Sequence, residues 1–397
     1  MVRQLLKAEK LNRIKLRKEL TVNKREALEY FYDNYAERTI NHSLFAVEEY
    51  FNTNLDELIA DFRASFKKLC CQVNQLQETG EKGKIAYITY SMLRTSIADK
   101  SYVYLVEAQN KYWFCDHQSF QMEYDASWLF EFLEEAERKL QQQMNSYINP
   151  LSKTDIERIT LQQAEKYNWY IVYLARDAMK EVLKLEEYQN LARTQEFEVR
   201  VGEYRDLSEI VYKEDRKEKD AQKMKEWLEE KREYEYAYEV LQDLDLAEGD
   251  YIGIDLRYSD LSNSNLAESY MNHCTLLGTK FTNADLRRTD FSLSVIYEAD
   301  FRNCDLRGAE FRYVLGFNGL IDKQEWKLPG FQRVDFSNAD LAGANFEGAN
   351  LKGAIFTGAN LAGVNFKDAD LTGVILAEKD LFQVELTTEQ RQKIIVK

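Results

Sequence analysis

From Leu246 to Leu376 a large apolar residue recurs at every fifth position. The first run reads Leu246, Tyr251, Leu256, Leu261, Leu266, Met271, Leu276, Phe281, Leu286, Phe291, Ile296, Phe301, Leu306, Phe311. The second resumes at Phe331 and continues Phe336, Leu341, Phe346, Leu351, Phe356, Leu361, Phe366, Leu371, Leu376. A period of five suits neither a helix, whose apolar face recurs at three and four, nor a flat strand, which alternates. Each five-residue unit therefore has to turn a corner. Two residues before the large one the side chain is small, as at Ser259, Ser264, Cys274, Ala284, Ala344 and Ala354. One residue before it stands mostly Asp or Asn: Asp255, Asp260, Asp285, Asp290, Asp300 and Asp305 in the first run, and often Asn, as at Asn345 and Asn360, in the second.

The string ANFEGANLKGAIFTGANLAGVNFKDADL resembles the pentapeptide-repeat family, whose motif is A(D/N)LXX. The resemblance covers about a third of the chain and implies a right-handed quadrilateral β-helix, four units to a coil. In such a coil the large residues, among them Leu256, Leu261, Phe281, Leu286, Phe301, Phe336, Phe346, Phe356 and Phe366, are structural core. The small residue fits beside them and the other three point outward. Coils stacked at the β spacing of about 4.8 Å would make a rod roughly 31 Å long, with phenylalanine rings stacking in columns one coil apart.

We assign residues 244–386 to this β-helix and 312–330 to an insertion. That insertion is either a degenerate coil or an extruded loop. Trp326, Pro329 and the glycines favour a loop, and in gyrase-directed members of the family an extruded loop contributes to the interaction. A β-helix needs both ends covered, since its last coil exposes apolar residues and open strand edges. Tyr234–Leu244 is placed to cover the first coil. LTTEQRQKIIVK reads as a C-terminal capping helix in 387–397, with Thr387 or Thr388 as N-cap, shorter than the helix some gyrase-directed members use to dimerise.

The remainder makes the chain multi-domain α+β. Residues 1–150 read as a mostly helical domain with a small antiparallel sheet: helical up to 78, then strands in IAYITYSML, YVYLVEA and YWFCDH, with Gln109-Asn110-Lys111 as a hairpin turn. Ser127 then caps a helix. Residues 151–243 read as a long helical hairpin and cap, its helices running from Asp155 to about Ala192 and from Ser208 to about Leu241, with a short strand possible at Phe197–Val201.

A search for chemistry yields little. Cys115 and His117 would share one strand face but have no third partner for catalysis or metal. The five cysteines are scattered and include no CxxC pair, which suits a reducing compartment. Cys274 takes the small inward position of a repeat, and no phosphate loop or nucleophile elbow occurs. Glu134-Glu135 and Glu186-Glu187 read as helix-surface acids. No catalytic, cofactor or metal residue is expected. No stretch of 18 apolar residues spans a membrane, and the N-terminus lacks a secretory pattern, so the expected location is cytoplasmic.

The chain carries a formal charge of −15, which repels nucleic acid unless the charge is segregated. The exception is residues 1–25, where nine Lys/Arg, Arg13 and Arg17 among them, stand against Glu9 and Glu19. That stretch reads either as an arm that binds an acidic surface or nucleic acid, or as an ordinary helix with a solvated face.

Three functions then compete. The chain could be a non-catalytic scaffold that binds another protein, with toxin immunity or regulation as its setting. It could be a DNA mimic that binds a topoisomerase such as gyrase and confers resistance to quinolones or peptide toxins, as some family members do. It could be an enzyme with a site in residues 84–200, lined by Tyr102, Tyr104, Tyr112 and Trp113. For mimicry the Asp column would supply the charge. Residues 244–380 hold 21 acids and 13 bases, about one net charge per 4 Å of rod, against about one per 1.7 Å in B-DNA. The candidate interaction surface is Asp255, Asp260, Asp285, Asp290, Asp300, Asp305, Trp326, Arg13 and Arg17.

Overall fold

The computed structural model describes residues 24–145, 151–317 and 332–397. The chain divides into two compact units, one of Met1–Thr194 with Glu198–Tyr212, the other of Gln195–Phe197 with Lys213–Lys397.

The first unit opens with α1 (Lys24–Phe31), which passes through a single π turn into α2 (Glu37–Thr53), and then α3 (Leu55–Glu78). Ile40, Leu44, Val47 and Phe51 on α2, and Leu58, Phe62, Phe66, Leu69 and Val73 on α3, recur at helical spacing and are buried. Next come β1 (Ile85–Met92), α4 (Arg94–Ala98), β2 (Val103–Gln109), β3 (Phe120–Asp125), α5 (Ser127–Asn145), α6 (Lys153–Gln162), α7 (Ala164–Val182), α8 (Glu186–Gln189), β4 (Arg193–Glu203) and β5 (Ser208–Asp215). Aromatic rings fill the helix–sheet interior: Phe62 stacks on Tyr90 at 4.7 Å, and the Tyr104 hydroxyl donates to Asn168 Oδ1 at 2.8 Å.

Several sequence expectations are corrected here. The sheet is not a small antiparallel one. It has five strands in the order β3-β2-β1-β4-β5, and β1 pairs antiparallel with β2 but parallel with β4. The parallel partner lies about a hundred residues downstream, and no local pattern announces a pairing at that distance. YWFCDH is not a strand either. Residues 110–119 form a loop with a 3-10 turn at Trp113–Cys115, closed by a buried pair in which Lys82 Nζ stands 3.2 Å from Asp116 Oδ2. Asp116 also accepts the backbone N–H groups of Asn110 and Gln118, each at 2.8 Å. Cys115 and His117 therefore share no strand face. Helix α5 does start at Ser127, but the nearby carboxylate of Asp125 accepts the Ser127 N–H.

The expected helix from Ser208 to about Leu241, and with it the helical hairpin of 151–243, is absent. Ser208–Asp215 is β5, and only Ala221–Glu229 is helical, as α9. The mixed-charge stretch Lys213–Asp220 supplies no apolar stripe to bury, so it cannot sustain a helix by packing. Tyr236 and Leu241 prove to be large inward residues of the repeat, fully buried like those that follow. The five-residue rhythm thus starts ahead of Leu246, and Tyr234–Leu244 is mostly the first coil rather than its cover.

In the second unit, from Val240 to Val295, each bridging residue pairs in parallel with the one twenty further on, at five-residue intervals: Val240 with Asp260, Asp245 with Asn265, Asp250 with Tyr270, Asp255 with Thr275. Four five-residue units therefore make one coil of a β-helix. Within a unit the N–H of the small residue closes a β-turn on the carbonyl of the large one, as from Ala284 to Phe281 at 2.8 Å. The third residue of that turn has positive φ: Asn263 at 61°, Asn283 at 62°, Gly343 at 72°, Gly363 at 70°. A turn of this form favours Gly or Asn there, which fits the Gly-rich second run, while the first run also places residues such as Tyr258, Glu268 and Arg288 at that position.

Inside the coil, Phe281, Phe301, Phe336 and Phe356 form one ring column, with centroids 5.0, 4.9 and 4.8 Å apart. Phe291, Phe311, Phe346 and Phe366 form another, and rings of the two columns meet edge to face. In the first run the small inward residue is often a hydroxyl. The Ser264 hydroxyl donates to the Leu241 carbonyl at 2.7 Å and accepts the Leu244 N–H at 3.0 Å. A hydroxyl is tolerable inside because both its hydrogen-bonding roles are used.

The bridges also show what 312–330 does. Val295 pairs with Leu315, twenty on, but Asp300 pairs with Asp335 and Glu310 with Asn345, thirty-five on. The coil thus runs through Gly316, later than the expected Arg312, and fifteen residues between Gly316 and Phe336 are additional to it. Most of them, with Trp326, lie outside the described residues.

Both ends are covered. Helix α9 lays Leu228, Trp227 and Met224 against the first coil, and its Lys225 donates to the Ala247 carbonyl at 2.6 Å. At the other end Thr387 caps α10 (Thr388–Lys393) in a capping box with Gln390. That same Gln390 donates to the carbonyls of Phe366 and Ala369. Strand β7 (Ile395–Val396) pairs parallel with β6 (Ile375–Leu376), Ile395 against Ile375, so it takes the edge place of a further coil.

Candidate interaction surface

The outward Asp/Asn column has a local task. Its side-chain oxygen accepts the N–H two residues on: Asp260 from Ser262 at 3.0 Å, Asp290 from Ser292 at 2.9 Å, Asp335 from Ser337 at 2.8 Å, Asn345 from Glu347 at 3.1 Å. This is an Asx turn, and it needs a short acceptor rather than a charge, so Asp and Asn interchange along the column. Four of the six candidate acids are also ion-paired. Asp255, Asp285, Asp300 and Asp305 take Arg257, Arg287, Arg302 and Arg307, each two residues on, at 2.5–2.6 Å. Bonding to Arg287 and Arg307 holds the carboxyls of Asp285 and Asp305 below the usual range. Arg307 also reaches to 3.7 Å from Asp340 on the next coil. The column is therefore a ladder of alternating sign rather than a stripe of anions. Asp260 stands 3.9 Å from Lys280, while Arg13, Arg17 and Trp326 lie outside the described residues.

Sequence reasoning passed over a different feature. On one face the positive-φ position of three successive coils holds His273, Leu293 and Tyr313, at φ 61°, 62° and 55°. The same position in the coils to either side is glycine, Gly253 and Gly348. Leu293 and Tyr313 are about half exposed, 49% and 55%, and Tyr270 beside them is 56% exposed. A bulky residue with left-handed backbone costs roughly 1–2 kcal/mol, and here burial returns little of it. The signal in the sequence was the contrast between large residues here and glycine at the same place of the second-run units.

The candidate chemical residues disperse. The Cys274 thiol donates to the Tyr251 carbonyl inside the coil, and burial pushes it up to about 12. Tyr104 is core, Tyr112 is exposed, and Trp113 stacks on Tyr87 at 4.7 Å. The four aromatic residues expected to line one pocket thus do not come together. Among the described residues no group of three His, Cys, Asp or Glu side chains is placed to hold a metal, and no helix is long and apolar enough to cross a membrane.

Twenty-residue coils of five-residue units, with stacked inward rings and an Asx-turn column, define a pentapeptide-repeat domain. The family model described as pentapeptide repeats matches in eight copies, within residues 252–288, 278–312 and 331–368, so this part of the chain is a run of pentapeptide repeats. Among solved structures the chain is similar to QnrB1, a plasmid-mediated fluoroquinolone resistance protein, at 17% identity over 42% of this chain and 87% of that one, with a TM-score of 0.30. It is also similar to HetL, a pentapeptide repeat protein involved in heterocyst differentiation regulation in the cyanobacterium Nostoc sp. strain PCC 7120, at 21% identity over 40% and 98% of the two chains, TM-score 0.13. With TM-scores this low, neither likeness bears on this chain's partner. No curated protein matches the chain.

Proposed function

We propose that this protein is a non-catalytic scaffold whose β-helix, right-handed and four-sided, presents an exposed ridge to another protein. The observation that carries the reading is the set His273, Leu293 and Tyr313, bulky residues held at left-handed positions where glycine is cheaper. The Tyr313 ring lies over Gly348 of the next coil, yet Leu293 and Tyr313 stay about half exposed, and strain kept at an exposed site for so small a packing return points to use of that site. Side chains with an apolar body and low rotamer entropy, such as Tyr313, Tyr270 and His273, suit the centre of a protein interface. The test uses the full chain. Replacing His273, Leu293 and Tyr313 by glycine leaves the coil folded and more heat-stable, while capture of the partner is lost. Retained capture by the triple variant contradicts the reading.

The alternative, DNA mimicry directed at a topoisomerase, asks for a continuous anionic face. The pairing of Asp255, Asp285, Asp300 and Asp305 with arginine weighs against it, because each pair removes a charge that mimicry would present. A gyrase supercoiling assay, with and without a fluoroquinolone, decides between the two. The scaffold reading expects no effect at micromolar protein.

A further inference from the structure

The first unit contains a cavity of about 610 Å³ between α4, α5 and α6, within the range of small-molecule sites. Its apolar floor is Ile97, Phe130, Leu133 and Leu161. Lys100 and Tyr102, at the turn from α4 into β2, also line it, and both have left-handed backbone at φ 63° and 54°. That conformation is costly for long and aromatic side chains and is found at functional sites more than elsewhere.

The charges around the opening decide what it takes. Each lining cation already has a carboxylate: Lys100 is bonded to Glu134, Arg138 to Glu135 at 2.7 Å, Lys153 to Glu157 at 3.6 Å and Arg158 to Asp155 at 3.7 Å. The lining acid left over is Glu137. It forms no ion pair among the described residues, and its partner is the neutral amide of Gln141, whose Nε2 donates at 2.6 Å. Burial, with a smaller push from Glu157 and Glu134, raises the Glu137 carboxyl above the ordinary glutamate range, against the pull of Lys100 and Lys153. A partly desolvated carboxylate without a cation favours a positive charge brought beside it.

We propose that this cavity binds an organic amine, its apolar body on the floor of Ile97, Phe130, Leu133 and Leu161 and its ammonium group against Glu137. The site is separate from the ridge of the β-helix and stands or falls independently of it.

The test is calorimetric titration of the full chain with octylammonium, octanol and octanoate, for the native protein and for Glu137→Gln. A charge-assisted hydrogen bond adds at least about tenfold in affinity. Octylammonium should therefore bind about tenfold or more tighter than octanol, and Glu137→Gln should abolish that preference while leaving octanol binding unchanged. In the native protein the preference should weaken on acidification, beginning above the ordinary glutamate range, as Glu137 takes up its proton. This second readout needs no variant to fold. Saturable binding of none of the three overturns the proposal, as do equal affinity for octanol, preference for octanoate, or an amine preference that survives in Glu137→Gln.

Discussion

Phe301 and Phe336 stack with ring centroids 4.9 Å apart and planes inclined by 3°, although thirty-five residues separate them. Elsewhere in the same column the partner lies twenty residues on, as for Phe281 and Phe301. The coil therefore keeps its inner register across an interruption of the chain, and the register is set by what the interior must hold. Phe336 lies between Phe301 and Phe356, with edges of Phe311 and Phe346 against it. Phe336→Ala should cost about 3–5 kcal/mol through lost burial and a cavity that stacked coils cannot close, and Phe336→Leu markedly less. Denaturant unfolding monitored by circular dichroism measures both.

Gly249 occupies the small inward position beside Tyr251. A Cβ there would come 2.1 Å from Tyr251 Cζ, and the ring is fixed because its hydroxyl donates to the Leu246 carbonyl at 2.8 Å. Gly249→Ala should destabilise by about 1–3 kcal/mol through overpacking. Adding Tyr251→Leu should recover most of that loss, since the clash is with the ring. Thermal melts of the single and double variants check the coupling, and equal melts for the two would refute it.

Leu293 stands at φ 62° and is half exposed. Leu293→Gly should raise stability by about 0.5–1 kcal/mol, the relief of left-handed strain less the greater freedom glycine gives the unfolded chain. At Asn283, a residue type that tolerates the conformation, Asn283→Gly should change little. Paired melting curves test the contrast.

The bonds from Arg287 and Arg307 lower the carboxyl values of Asp285 and Asp305 in the folded chain. A lowered folded value means stability present above the unfolded carboxyl value, about 3.9, and lost as pH falls through the folded one. Native stability should therefore drop below about pH 4. In Asp285→Asn/Asp305→Asn the Asx acceptor remains but the titration does not, and the drop should be shallower. Asp305→Ala, which removes the acceptor as well, should cost about 1 kcal/mol even at neutral pH. Urea midpoints between pH 2.5 and 7 report the sign directly.

The repeat was legible because every unit satisfies the same constraint within five residues. A large inward residue, a small one beside it and a short acceptor before it are all local, so Leu256, Phe281 and Phe346 announce their burial without reference to distant chain. The first unit was not legible in this way. The β1–β4 pairing joins Ile88 to Val199, and neither residue encodes the other. The loop at Trp113–Cys115 is held by Lys82, some thirty residues upstream, and looks like a strand to any local reading. The candidate surface misled for a related reason. Asp285 and Asp305 read as free charge from their type, whereas their geometry bonds each to a backbone N–H and to an arginine two residues on. The ridge of His273, Leu293 and Tyr313 became visible only once positive φ showed those positions to be ones where glycine belongs.

The twenty-residue coil is tested most directly by shortening the chain. Removing residues 317–331 takes out fifteen residues and would set Phe336 twenty after Phe301. Gln332, Arg333, Val334 and Asp335 would then fill the outward, left-handed, inward and bridging places of one regular unit. Removing residues 317–334 would instead leave only Asp335 between Gly316 and Phe336, too little chain to span one side of the coil, and would displace every inward side chain of the second run from its column. The predicted result is cooperative thermal unfolding close to that of the native chain for the fifteen-residue deletion and loss of the second run's structure for the eighteen-residue one. Equal behaviour of the two deletions would contradict a coil built on a five-residue unit.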